Sequence, residues 1–150
     1  MLGIWHICES VEDLLEIVRM SGREFNRYKA LKNELRKKQW LAWRALLAEM
    51  IQGESILIDY NAHGKPLPVH PSFSLSVTHS GPYACCLWGK AHSLGIDIEQ
   101  IKPRILKIAP RFLSEEEFHS FRLQWEPRML TLLWADRKST RLNSSHESPS

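Results

Sequence analysis

Two acids separated by one isoleucine, in Gly95-Ile96-Asp97-Ile98-Glu99, constrain this chain more than any other segment. Read as a strand, the segment sends Asp97 and Glu99 to one face and Ile96 and Ile98 to the other. Upstream, Phe73-Ser74-Leu75-Ser76-Val77 alternates in the same way and ends at Thr78-His79-Ser80-Gly81. Tyr83 to Trp88 is a compact apolar run, and Gly89 to Ser93 is a loop of hairpin length. The pattern predicts an antiparallel hairpin whose return strand, Leu94 to Ile98, joins the acids and the His79 loop in one sheet. Two carboxylates on one face are half of a hard-cation site of the Mg²⁺ type. The His-Ser pair can hold the anionic group such a cation serves. A surface strand with two solvated acids is the other reading at this point.

The rest of the chain reads as mixed helix and strand. Ile4 to Ile7 is a short first strand, and Ser10 caps a helix from Val11 to about Met20. A longer helical pattern runs from about Arg23 to Ile51, with room for a break, and Gly53 ends it. Its apolar stripe holds Trp40, Trp43, Leu47, Met50 and Ile51. Arg36 falls at the centre of that stripe and Arg44 at its edge. A guanidinium there needs a partner, either an internal carboxylate or a ligand phosphate. Ser55 to Tyr60 is a strand, and Asn61 to Pro66 is a turn with Gly64 at its bend. Past Pro103 the chain turns helical: about Ile105 to Ala109, then Ser114 to about Phe121 behind a capping box, then a helix opened by Pro127.

The bulk numbers narrow the function classes. The 150 residues suffice for one domain with a real core, and the net charge of +3 is too small to argue for nucleic acid. No apolar run has the length of a membrane span and no signal-peptide layout opens the chain, so a cytoplasmic protein is expected. Cys8, Cys85 and Cys86 have no metal spacing.

Several blocks, taken in order, resemble the 4′-phosphopantetheinyl transferases of the longer, two-lobed class. They are the basic helix with Arg36 and Trp40, Gly64-Lys65-Pro66, Phe73 to Ser80, Leu94 to Glu99, and Ile108 to Glu117. The resemblance covers about Ile4 to Ala135. It implies an α+β fold with an antiparallel sheet packed on a long helix. Residues 1–102 would form one lobe and 103–135 the start of a second, pseudo-symmetric one. It implies transfer of 4′-phosphopantetheine from coenzyme A to a serine of an acyl or peptidyl carrier protein, Mg²⁺-dependent, by a monomer in its full-length form. Asp97 and Glu99 would be the metal ligands and catalytic acids. His79 would contact a coenzyme A phosphate, with Thr78 and Ser80 adding hydroxyl donors. Arg36 would meet the adenosine 3′-phosphate, and Lys65 and Pro66 would stand beside the adenine. A non-catalytic module that binds coenzyme A or a carrier protein is the alternative.

The resemblance breaks after Trp134-Ala135. The family pattern continues W-x-x-K-E, its glutamate a third metal ligand, but Asp136-Arg137-Lys138 follows here, with Lys138 at the glutamate position. A cation there should weaken Mg²⁺ binding by repulsion. Asp136 to His146 resembles the in-frame translation of a sequencing-library adapter. Residues 136–150 are accordingly expected to be an artefactual, disordered tail. The incomplete second lobe should then expose Phe112, Phe118, Leu130 and Trp134 and leave this chain with little or no transferase activity.

Overall fold

The computed structural model describes residues 1–52, 56–62, 64–69, 72–90, 94–121 and 126–144. The expected helix stop at Gly53, the strand start at Ser55, the end of the loop before Leu94 and the last residues of the tail lie outside them.

The fold is α+β with antiparallel sheets. Strand β1 (Leu2–His6) pairs with β5 (Tyr83–Gly89), which pairs with β4 (Ser74–Ser80), giving the order β1-β5-β4. A second, two-stranded sheet joins β2 (Ile58–Tyr60) to β3 (Pro66–Pro68). Between them Gly64 takes φ 77°, a left-handed bend that glycine adopts at little cost.

The long helical pattern is indeed broken. Helix α1 (Val11–Ile17) opens on a Ser10–Asp13 capping box and α2 (Gly22–Lys29) on a Ser21–Glu24 box. The chain restarts as α3 (Glu34–Met50), capped by Asn33, whose side chain accepts the Arg36 N–H. Helix α3 lies on one face of the three-stranded sheet. A Cβ on Gly3 would stand 2.6 Å from the Met50 sulfur and 2.9 Å from Leu46 Cδ1, so a larger residue there would require those side chains to shift. Leu41, Ala42, Trp43 and Leu47 of α3, Leu14 of α1, and Leu75, Ala84, Cys86 and Trp88 of the sheet form the main core.

The arginine that enters this core is Arg44, not Arg36. Arg44 is 7% exposed, bonds Glu24 Oε1 at 3.2 Å and Tyr60 Oη, and stacks on the Trp40 ring. The internal carboxylate expected of the stripe's guanidinium therefore pairs with its edge residue. Arg36 is exposed.

Strand β4 runs on through Thr78, His79 and Ser80, so His79 stands in a strand rather than a loop. Ser80 faces Tyr83 across a two-residue Gly81-Pro82 turn, with Gly81 at φ 55°. This is the Gly-X layout of a tight hairpin turn. The hairpin partner of β5 is thus β4 and not the segment that follows.

Beyond the sheet, α4 (Ile105–Ile108) leads into a 3-10 turn (Ala109–Arg111), then α5 (Glu115–Phe121) and α6 (Pro127–Ser144). Ile105, Ala109 and Leu130 form a second, smaller core, with Phe112 and Trp134 packed against it at 5.2 Å between ring centroids. The expected exposed apolar face is therefore largely covered: Leu130 is 0% exposed, and Phe112, Phe118 and Trp134 are half-buried. Helix α6 continues past Ala135 to Ser144. No proline or glycine interrupts that stretch, so nothing in its backbone chemistry stops the helix.

Candidate functional site: a carboxylate pair closed on an ammonium

The acids lie on an extended segment, 94–100, that follows β4 without a backbone ladder. Its amides bond side-chain hydroxyls instead: Ile96 N–H to Ser76 Oγ, Ile98 N–H to Thr78 Oγ1 and Gln100 N–H to Ser80 Oγ, at 3.2–3.3 Å. Both residue numbers rise together, so the segment runs parallel to β4 and hence antiparallel to β5, the expected direction, but its neighbour is β4 rather than β5. The alternation of β4 explains this. Leu75 and Val77 face α3, and Ser76, Thr78 and Ser80 face the other way, offering a row of acceptors spaced two residues apart.

That row aims the acids. Asp97 Oδ1 accepts the Thr78 hydroxyl at 2.9 Å, and the Asp97 side chain is only 3% exposed. Lys138, from α6, reaches both carboxylates: its Nζ is 3.1 Å from Asp97 Oδ1 and 2.6 Å from Glu99 Oε1. Trp134 Nε1, one turn earlier on α6, also donates to Glu99 Oε1 at 3.1 Å. Asp97 and Glu99 therefore share one side and converge on one cationic point, as the D-x-E spacing predicts. Asp97 Oδ2 is buried without a partner among the described residues.

Burial pushes the Asp97 carboxyl above its usual range, and Glu99 adds to this, while the Thr78 hydroxyl and Lys138 pull it back. Burial works against the Lys138 charge, but its bonds to Glu99 and Asp97 outweigh it and hold the ammonium above its ordinary range.

His79, on the α3 face of β4, meets Arg36: Nη1 is 3.2 Å from the ring's Nδ1 and closer still to Nε2. Arg36 donates to a neutral imidazole. Burial lowers the His79 pKa, and the Arg36 and Lys138 charges lower it further. The partner of Arg36 is thus a histidine, neither of the two classes expected. Lys65 and Pro66 stand at the β2–β3 turn, where burial lowers the Lys65 pKa.

A cleft of about 280 Å³ opens beside Glu99, lined among others by Ser80, Lys102, Arg104, Thr131 and Trp134. Lys102 and Arg104 give it positive charge next to the carboxylate pair. Neither residue is singled out in the sequence reading. The signal was there, since two cations flank Pro103 directly after the acids. Among the described residues no group of three or more His, Cys, Asp or Glu side chains gathers in metal-holding geometry. As the residues stand, they fit a single ammonium rather than a divalent ion. Among the described residues, too, no helix is long and apolar enough to cross a membrane.

No family model matches the chain. It is 41% identical over 66 residues, 43% of its length, to the 4′-phosphopantetheinyl transferase psf-1 of Bacillus pumilus. It is 40% identical over 57 residues, 37% of its length, to the 4′-phosphopantetheinyl transferase Sfp of Bacillus subtilis (strain 168). It is 34% identical over 88 residues, 51% of its length, to the 4′-phosphopantetheinyl transferase gsp of Aneurinibacillus migulanus. These stretches span 28%, 25% and 36% of the respective relatives' own length. Over the aligned stretches the chain is similar to enzymes named 4′-phosphopantetheinyl transferases.

Proposed function

We propose that the protein carrying this sequence transfers 4′-phosphopantetheine from coenzyme A to a serine of an acyl or peptidyl carrier protein. The serine hydroxyl gives up its proton to solvent and its oxygen bonds to the phosphorus that bears the pantetheine arm. The bond from that phosphorus to the bridging oxygen breaks, and adenosine 3′,5′-bisphosphate leaves. The observation that carries this reading is the convergence of Asp97 and Glu99 on one cationic point, beside a cleft containing Lys102 and Arg104. The names of the relatives support the chemistry.

In this reading His79 meets a coenzyme A phosphate and Arg36 serves the 3′-phosphate while keeping His79 neutral; Thr78 and Ser80, on the opposite face of β4, hold the acid-bearing segment instead of donating to that phosphate. Lys65 and Pro66 stand beside the adenine. Mg²⁺ supplies charge neutralisation at the pyrophosphate in such transfers. Asp97 and Glu99 are the side chains that would hold it, and Lys138 takes that place in the present chain. The 150-residue chain is therefore expected to transfer little or nothing.

Mass spectrometry of an apo carrier protein incubated with coenzyme A and Mg²⁺ tests the assignment. A protein carrying the family's W-x-x-K-E pattern from Trp134 should add the phosphopantetheine mass to the carrier serine. Its Asp97→Ala variant should not. Coenzyme A binding without transfer by that protein would favour the non-catalytic module. Equal coenzyme A affinity, measured calorimetrically with Mg²⁺, for wild type and Asp97→Ala would refute the carboxylate role.

A further inference from the structure

We propose that in this chain the Lys138 ammonium occupies the Asp97–Glu99 site and excludes a divalent metal ion from it. This concerns the carboxylate pair alone and stands or falls independently of the transfer reaction.

The argument begins with the register of α6. Leu130, Trp134 and Lys138 recur every four residues, so they share one face of the helix. Leu130 is fully buried in the second core, and Trp134 packs on Phe112 while its indole N–H binds Glu99. Those two contacts fix the rotation of the helix. The side chain at position 138 then falls between Asp97 and Glu99.

Lysine at that position delivers one positive charge to two carboxylates, with Nζ at 3.1 and 2.6 Å. The oxygens it engages are the ones a metal would need. A hard divalent ion wants oxygen ligands at much shorter distance and tolerates no ammonium between them. Moving Lys138 aside would leave Asp97, 3% exposed, facing the ion with a displaced cation still tethered nearby. Each carboxylate thus has the ammonium as a partner, with Asp97 Oδ2 left without one among the described residues. The residue at 138 acts as the selector: a cation closes the site, and an acid would open it by adding oxygen ligands.

The probe is Mn²⁺ alone, followed by its electron paramagnetic resonance signal, with Mg²⁺-induced shifts in melting temperature as a second readout. The wild-type chain should bind no Mn²⁺ through the millimolar range, and Mg²⁺ should leave its melting temperature unchanged. Lys138→Glu should gain at least about tenfold in Mn²⁺ affinity. It should be stabilised by Mg²⁺, and Asp97→Asn added to it should abolish both effects. Mn²⁺ binding by the wild type that Asp97→Asn removes would overturn the proposal. So would a folded Lys138→Glu variant with no gain. If that variant does not fold, the wild-type titration decides: metal held at Asp97 refutes the exclusion, and its absence supports it.

Discussion

At the scale of single residues, the environment of each titratable group sets its chemistry. His79 is held below its ordinary value of 6.5, first by burial and then by the Arg36 and Lys138 charges. It is therefore neutral at pH 7. Its folded pKa lies below the unfolded one, so its contribution to stability is complete above 6.5 and declines as pH falls below that value. A proton NMR titration should find the His79 ring titrating below 6.5, and Arg36→Ala should move it upward. An unchanged midpoint in the variant would remove Arg36 from the account. The thiols divide as sharply. Burial pushes Cys86 up to about 12, and its Sγ donates to the Trp43 carbonyl at 3.3 Å. Burial raises Cys85 as well, and Asp97 adds to it. Cys8 is exposed. A thiol reagent at pH 8 should modify one cysteine quickly and the other two only on unfolding, because the thiolate is the reacting species. Rapid reaction of all three would mean that the β4–β5 hairpin opens readily.

At the scale of elements, the hydroxyl row on β4 does the work a backbone ladder does elsewhere. Thr78 is its centre, donating to Asp97 Oδ1 and accepting the Ile98 N–H through one oxygen. Thr78→Val keeps the branched shape and removes both bonds. It leaves a carboxylate and an amide short of partners in a half-buried place, at a cost of about 1–3 kcal/mol. Urea unfolding should show that loss, and a variant as stable as wild type would show that water replaces the hydroxyl. The same row explains which parts of the fold were legible beforehand. Strands β1, β4 and β5, the caps at Ser10 and Ser114, the break in the long helix and the shared side of Asp97 and Glu99 follow from local periodicity and caps, whereas β3 was not legible and the expected strand at Leu94–Ile98 carries no ladder. The neighbour of segment 94–100 does not follow from periodicity either. Side-chain acceptors on β4 chose it, and the same Ser-x-Ser-x-Thr alternation fits an ordinary half-buried strand. Helix position alone also misassigned the buried arginine. Arg44 reaches Glu24 and Tyr60 from elements far away in sequence, and no angle along α3 reveals them. Lys138 was legible as a charge reversal but not as the occupant of the site, because that depends on how α6 docks.

At the scale of the whole molecule, the two apolar cores are unequal, and the smaller one relies on polar contacts to stay in place. The main core joins α1, α3 and the sheet. The second has Ile105, Ala109 and Leu130 at its centre, of which Ile105 and Leu130 are worth roughly 2 kcal/mol each when fully buried. Helix α6 is tied down by Lys138 on the acid pair, by Trp134 on Glu99, and by Arg137, whose Nη2 is 2.6 Å from Glu117 Oε1. Hydrogen bonds from Arg137, and then from the Ser114 amide, hold the Glu117 carboxyl down to about 2, from 4.5. A depressed folded value means that this contribution is complete above 4.5 and is lost as pH falls toward about 2. Asp97, shifted upward by burial, works in the opposite sense and favours the folded chain as it takes up its proton. The Glu117–Arg137 contact should therefore persist until the pH nears about 2, while its stabilising contribution shrinks from 4.5 downward. Hydrogen exchange should find lower protection factors in α4 and α6 than in β4 and β5 at pH 6, since local opening tracks local packing. The gap should widen between pH 4.5 and 2. In Arg137→Ala the gap should already be wide at pH 6 and change little on acidification. Equal protection in both regions at every pH would mean that the two cores unfold as one unit.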